Sequence, residues 1–112
     1  MLMEIGFSTD SVNLGNKKIW GALTLLENAV ICLLWEGDDP KMGSLSITLP
    51  DRTSSPIIGD RDQVLGKIVG DFLALSYGKM ALTSVNLSRG TGVDAGSLVL
   101  ELIKKIVNMR AG

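Results

Sequence analysis

The residues able to do chemistry in this chain are few, and one type is missing altogether. There is no histidine, so neither a Ser-His nor a Cys-His nucleophile pair can be assembled. Metal sites that draw on His and Cys clusters have only Cys32 to offer, and that residue lies in the apolar run Ala29 to Trp35, where it reads as a small core hydrophobe. No metal and no cofactor is expected. Asp38 and Asp39 are adjacent carboxylates, but followed by Pro40 they read as a turn rather than an acid/base pair. Ser54 and Ser55 have no base nearby in sequence. Arg89, Gly90, Thr91 and Gly92 form a glycine-rich stretch ahead of a helix, and its backbone amides could cradle an anion. Its spacing matches neither the dinucleotide nor the P-loop pattern, and Asp94, placed to cap the same amides, would compete. A flexible strand-to-helix connection is the other reading.

Composition points the same way. The 112 residues make one domain, residues 1–112, long enough to bury about two-thirds of the unfolded surface. The net charge of −1 steers the chain toward neither nucleic acid nor an anionic membrane. One cysteine allows no internal disulfide, which fits a reducing, cytoplasmic setting. MLMEIGF has no basic region and does not read as a signal peptide. The longest apolar run is far too short to span a bilayer. Hydrophobic residues make up 46% of the chain but aromatics only 4%. That leaves more aliphatic surface than one small core covers, and predicts an oligomer.

The elements follow from periodicity. Met3, Ile5 and Phe7 alternate with polar neighbours and predict a first strand, followed by a turn-rich connection from Asp10 to Asn16. Lys17 to Leu26 predicts a second strand, with Trp20 on a mixed face that could mark an interface. Glu27-Asn28 suits a two-residue hairpin. Ala29 to Trp35 is apolar throughout and predicts a central strand. In Gly43 to Leu49, Leu45, Ile47 and Leu49 alternate with Ser44, Ser46 and Thr48, as in a strand buried on one side. Asp51 to Gly59 reads as a long polar loop. A helix from near Asp60 to Gly78 carries Val64, Leu65, Ile68, Val69, Phe72 and Leu75 as its core-facing stripe. Lys79 to Leu87 is a further strand, and Ala95 to Met109 a second helix capped by Asp94. The order β-β-β-β-α-β-α predicts an α+β fold: a mainly antiparallel sheet of about five to six strands with two helices.

Several short stretches, in this order, resemble the proteasome assembly chaperones, in particular the third and fourth members of that group. They are Trp35-Glu36-Gly37 at the end of the central strand, Leu45-Ser-Ile-Thr in the next, Thr53-Ser-Ser-Pro-Ile-Ile-Gly-Asp60, and Ser84-Val-Asn-Leu87 before the final helix. The resemblance covers roughly Ala29 to the C-terminus. Leu82 departs from it, standing where the family tends to have Phe, and the N-terminal segment matches weakly.

The resemblance implies a non-enzymatic chaperone that dimerises through sheet packing, as a homodimer or with a paralogue, and binds proteasome α subunits during ring assembly. The sequence ends Met-Arg-Ala-Gly112 without the hydrophobic-Tyr-x tail of some assembly chaperones, which implies docking by loops or a face. The expected partner contacts are Arg52, Thr53, Ser54, Ser55, Ile57 and Ile58, on a loop held between two well-specified elements. Arg52 offers a planar donor fork for a carboxylate. Ile57 and Ile58 are either an exposed anchor or a staple on the helix start. The alternative is a small-ligand or anion-binding domain using Arg89 to Gly92.

Overall fold

Gly15 and Asn16 make the first turn of the chain, and Gly15 takes the positive φ of 62° that such a tight hairpin requires. They join β1 (Ser8–Leu14) to β2 (Lys17–Leu25), paired antiparallel from Ser8↔Leu23 to Leu14↔Lys17. The computed structural model describes residues 5–59, 63–88 and 91–111, with backbone alone for 91–94 and 111. The first strand therefore starts later than the alternation at Met3, Ile5 and Phe7 predicts: residues 5–7 are not a strand, and Met3 lies outside the described residues. The Ser/Asp/Asn-rich stretch reads as a turn by composition. It becomes a strand because an edge strand needs only a few apolar anchors, here Val12 and Leu14 against the core.

Leu26 N–H bonds to Ala29 O at 2.8 Å, closing the expected turn around Glu27 and Asn28. β3 (Ala29–Glu36) follows, then β4 (Ser44–Thr48) and β5 (Ser54–Ile58). The expected loop from Asp51 to Gly59 is thus largely a strand, and the order becomes β-β-β-β-β-α-β-α. Helix α1 (Gln63–Tyr77) ends at Gly78, whose φ of 62° and N–H bond to Ala74 O match the expected C-terminal cap. Its expected start at Asp60 lies outside the described residues. β6 (Met80–Asn86) and α2 (Thr91–Ala111) complete the chain. Asp94 lies within α2, not ahead of it, because this helix begins four residues before the predicted Ala95.

The six strands form one sheet in the order β1-β2-β3-β6-β4-β5. Only the β3–β6 pair is parallel, from Ala29↔Met80 to Trp35↔Asn86. This is the α+β class that the sequence predicts. Strand alternation divides the side chains between the two faces. Ile19, Leu23, Val30, Cys32, Leu34, Ala81 and Val85 join the core with Leu65, Val69 and Leu73 of α1 and with Val99, Leu102, Ile103 and Ile106 of α2. Both helices lie on that one face.

Two apolar patterns depart from expectation, that of β4 wholly and that of α1 in part, since Leu65 and Val69 of the predicted stripe are buried. On β4, the registers put Ser44, Ser46 and Thr48 on the helix side and Leu45 and Ile47 on the opposite face. On α1, Leu65, Gly66, Val69, Gly70, Leu73 and Ala74 are buried, whereas Val64, Ile68 and Leu75 are 76%, 42% and 50% exposed. Phe72 is half-buried. The two departures share a feature. Gly66 and Gly70 bring the α1 backbone close to β4, and at that separation only small residues fit opposite them: a Cβ on Gly66 would stand 3.2 Å from Ser46 Oγ.

The outer edge of the sheet is irregular. β5 carries Pro56 opposite Ser46, and the register slips between Leu45 and Ser46. Arg110 ties the other end together, donating from Nη1 to Ser8 Oγ at 3.0 Å and to Leu23 O at 3.3 Å.

Candidate protein-interaction surfaces

The sheet face away from the helices carries a partly exposed apolar surface. Trp20 of β2, Ile31 and Leu33 of β3, Leu82 of β6, and Leu45 and Ile47 of β4 all point to it, and all are half-exposed. Trp35 stands on the same face opposite Trp20 and is buried. The two indoles stack with centroids 6.4 Å apart and planes 12° from parallel. Lys18 Nζ lies 4.7 Å from the Trp20 ring centroid, a cation–π contact. Both indole N–H groups are buried and have no hydrogen-bond partner among the described residues. The expected interface residue Trp20 thus sits on this face. Its companions Ile31, Leu33, Leu45, Ile47 and Leu82 were hidden in the sequence, because apolar alternation says that one face is covered but not by what. The readable signal was the pair Gly66 and Gly70, four apart on a helix: it marks the side where a sheet must present small residues.

The β4–β5 hairpin carries the expected partner contacts. Its turn is closed by Arg52 N–H to Leu49 O and Leu49 N–H to Thr53 O, each at 2.9 Å. The Thr53 N–H bonds to the Asp51 carboxylate at 2.9 Å and holds its pKa below the usual carboxylate range. Arg52 is exposed at the apex with a φ of 71°. Thr53, Ser55, Ile57 and Ile58 are exposed too, and Ile58 lines a small hollow with Gln63 and Gly66 of α1. Ser54 differs, being half-buried with its hydroxyl 2.9 Å from that of Thr48.

Between β5 and α1 runs a groove of about 250 Å3 lined by Ser46, Ser54, Pro56, Gln63, Val64 and Lys67. Lys67 Nζ reaches both Arg52 O and Asp71 Oδ2 at 3.3 Å, which links the hairpin tip to the outer surface of α1.

The remaining sequence candidates lie apart from these surfaces or outside the described residues. Cys32 is fully buried, and burial pushes its thiol up to about 12. Arg89 and Gly90 lie outside the described residues, and Thr91 and Gly92 open α2. Just before them, Ser88 N–H and Oγ engage the Glu36 carboxylate at 3.3 and 3.0 Å, and Lys17 Nζ donates to Ser88 Oγ at 2.9 Å. Among the described residues no group of three or more His, Cys, Asp and Glu side chains is placed to hold a metal ion, and no helix is long and apolar enough to cross a membrane.

A mixed six-stranded sheet with both described helices on one face defines a two-layer α+β protein. The fold is similar to that of a chain in the crystal structure of a novel chaperone complex for yeast 20S proteasome assembly. The TM-score is 0.68, with 97% of each chain covered and 9% sequence identity, a likeness of fold. No family model matches the sequence, and neither does any curated protein.

Proposed function

We propose that this chain is a non-enzymatic, cytoplasmic protein-binding module that acts as a chaperone in proteasome core-particle assembly, on subunits of the α-ring. It works as a pair, with a second copy or a paralogue, joined through the open sheet face. The observation that carries this reading is that face: a row of half-exposed leucine and isoleucine side chains across three strands, beside a stacked tryptophan pair. An apolar surface of this kind on a soluble chain marks an interaction site. The fold likeness to a proteasome assembly chaperone supports the choice of client. The exposed hairpin residues Arg52, Thr53, Ser55, Ile57 and Ile58, with Ser54 between them, supply contacts to the α subunit.

The test has two readouts. Sedimentation equilibrium at micromolar concentration is expected to give about twice the 11.9 kDa chain mass, and Leu33→Lys with Leu82→Lys should return the monomer. Recombinant proteasome α subunits, mixed one at a time with the wild-type protein on a sizing column, should include at least one that co-elutes. A monomeric wild type removes the pairing. Failure of every α subunit to bind removes the client.

A further inference from the structure

The tip of the β4–β5 hairpin holds a conformation that its own packing does not explain. Arg52 has a φ of 71°, and among the described residues it is the one non-glycine in the left-handed region. A Cβ is disfavoured there, and glycine would hold the same turn with less strain. The backbone of the residue is already satisfied: its N–H donates to Leu49 O, and its carbonyl accepts from Lys67 Nζ. The turn therefore uses the backbone at position 52 and makes no use of the guanidinium. Strained backbone of this kind is kept where a site uses the side chain that it presents.

That side chain is exposed and makes no hydrogen bond or ion pair among the described residues. The carboxylate next to it in sequence is occupied, since Asp51 accepts the Thr53 N–H at 2.9 Å. Lys67, the other cation near the tip, is paired with Asp71 at 3.3 Å. Arg52 is thus the cation left over at the apex. The hairpin that presents it is braced on two sides, by the pairing of β4 with β6 and by the Lys67 bond from α1 to the tip. The guanidinium is carried on a fixed base and pays little ordering cost when it meets a partner.

The planar donor fork matches the two oxygens of a carboxylate. A carboxylate at a chain terminus is captured by free backbone N–H groups arranged as a nest. The apex has none to offer, because the N–H groups of Arg52 and Thr53 are both taken. An aspartate or glutamate side chain needs only the fork. We infer that Arg52 anchors the hairpin to the client protein by pairing with an acidic side chain on the client's surface. Closure of the client over the apex removes water from the pair and strengthens it. This rests on the client reading above and names the residue and the chemistry by which the hairpin holds its partner.

The experiment measures the affinity of each recombinant proteasome α subunit for wild-type protein, Arg52→Gly and Arg52→Glu, at low and at high salt. The residue is exposed, so both variants should keep the wild-type sedimentation mass, and neither should melt below the wild type. The α subunit that binds the wild type should bind Arg52→Gly about tenfold more weakly. It should bind Arg52→Glu more weakly still, because two carboxylates then face each other. Raising NaCl from about 50 mM to about 500 mM should weaken the wild type by a larger factor than Arg52→Gly, since only the wild type has the ion pair to screen. Equal affinity for wild type and Arg52→Gly overturns the anchor and leaves the chaperone reading standing. Equal affinity for Arg52→Gly and Arg52→Glu, or an equal salt response, overturns the acidic partner group. A comparable loss on extending the subunit's C-terminus by a few neutral residues moves the contact to the chain end and overturns the side-chain assignment. Absence of any α subunit that binds the wild type overturns both readings together.

Discussion

Gly70 of α1 lies against Thr48 of β4 so closely that a Cβ on the glycine would run into the threonine hydroxyl and stand 3.0 Å from its Cβ. The contact sets the distance between helix and sheet, and through it the direction in which β4 and α1 present their apolar residues. Gly70→Ala is therefore expected to destabilise the fold by about 1–3 kcal/mol, the range for forcing extra volume into a packed seam. Thr48→Ala alone loses the bond to Ser54 and costs about 1 kcal/mol. The double variant should be more stable than the two costs summed, because the alanine at 48 makes room for the one at 70. Strict additivity in urea melts would mean that the seam relaxes elsewhere.

The two sides of α1 should answer differently to truncation. Leu73 is fully buried, so Leu73→Ala is expected to cost about 2–5 kcal/mol. Ile68→Ala, on the outer side, should stay within about 0.5 kcal/mol of wild type. A large loss at Ile68 in chemical denaturation would show that its side chain packs inward.

How much of this was legible in the sequence depends on what each element faces. β2, β3 and β6 are largely apolar on both faces, and their composition alone locates them. β1 was missed because an edge strand with one anchored side looks like a loop. β5 was missed because Pro56 and three polar neighbours outweigh its strand character locally, and its own composition does not show the hairpin pairing to β4 that creates it. Leu45 and Ile47 were read as core-facing because alternation is blind to sign: a face that waits for a partner protein and a face that meets a helix have the same period. The candidate surface was half visible, through Trp20 and the exposed hairpin, and its centre at Leu33 and Leu82 became apparent only with the strand order.

Cys32 gives a pH dependence with a definite sign. Its thiol stands at about 12 in the folded chain against the ordinary 9.0, so the unfolded chain loses the proton first. The contribution is fully present below about pH 9 and is lost as pH rises toward 12, with a slope of at most about 1.4 kcal/mol per pH unit. Tyr77 adds in the same direction, its pKa raised by burial, partly offset by the charge of Arg110. Stability of the wild type should fall with pH over this window, and Cys32→Ala should flatten the fall without abolishing it. At neutral pH a thiol reagent should label the native protein only at the rate of unfolding, and prompt labelling would refute the burial of β3.

Arg52 holds a left-handed backbone conformation that glycine adopts more easily. Relief of that strain, set against the added freedom of the unfolded chain, should make Arg52→Gly neutral to about 1 kcal/mol stabilising. Arg52→Val, with a branched Cβ in the same conformation, should destabilise by about 1 kcal/mol or more. Thermal melts of the pair of variants separate the two effects, and a clear loss on Arg52→Gly would mean that the side chain itself braces the turn.

Pro56 and the slipped register beside it bear on a hazard that any protein with uncovered aliphatic surface faces in a crowded cell. A strand at the rim of a sheet can template another chain, and repeated templating ends in fibrils. Pro56 removes one backbone donor from β5, and the slip after Leu45 bends the ladder there. Growth by edge addition is blunted on that side, so stickiness is confined to faces, where contact is finite and reversible, and kept from the rim, where it would be unlimited.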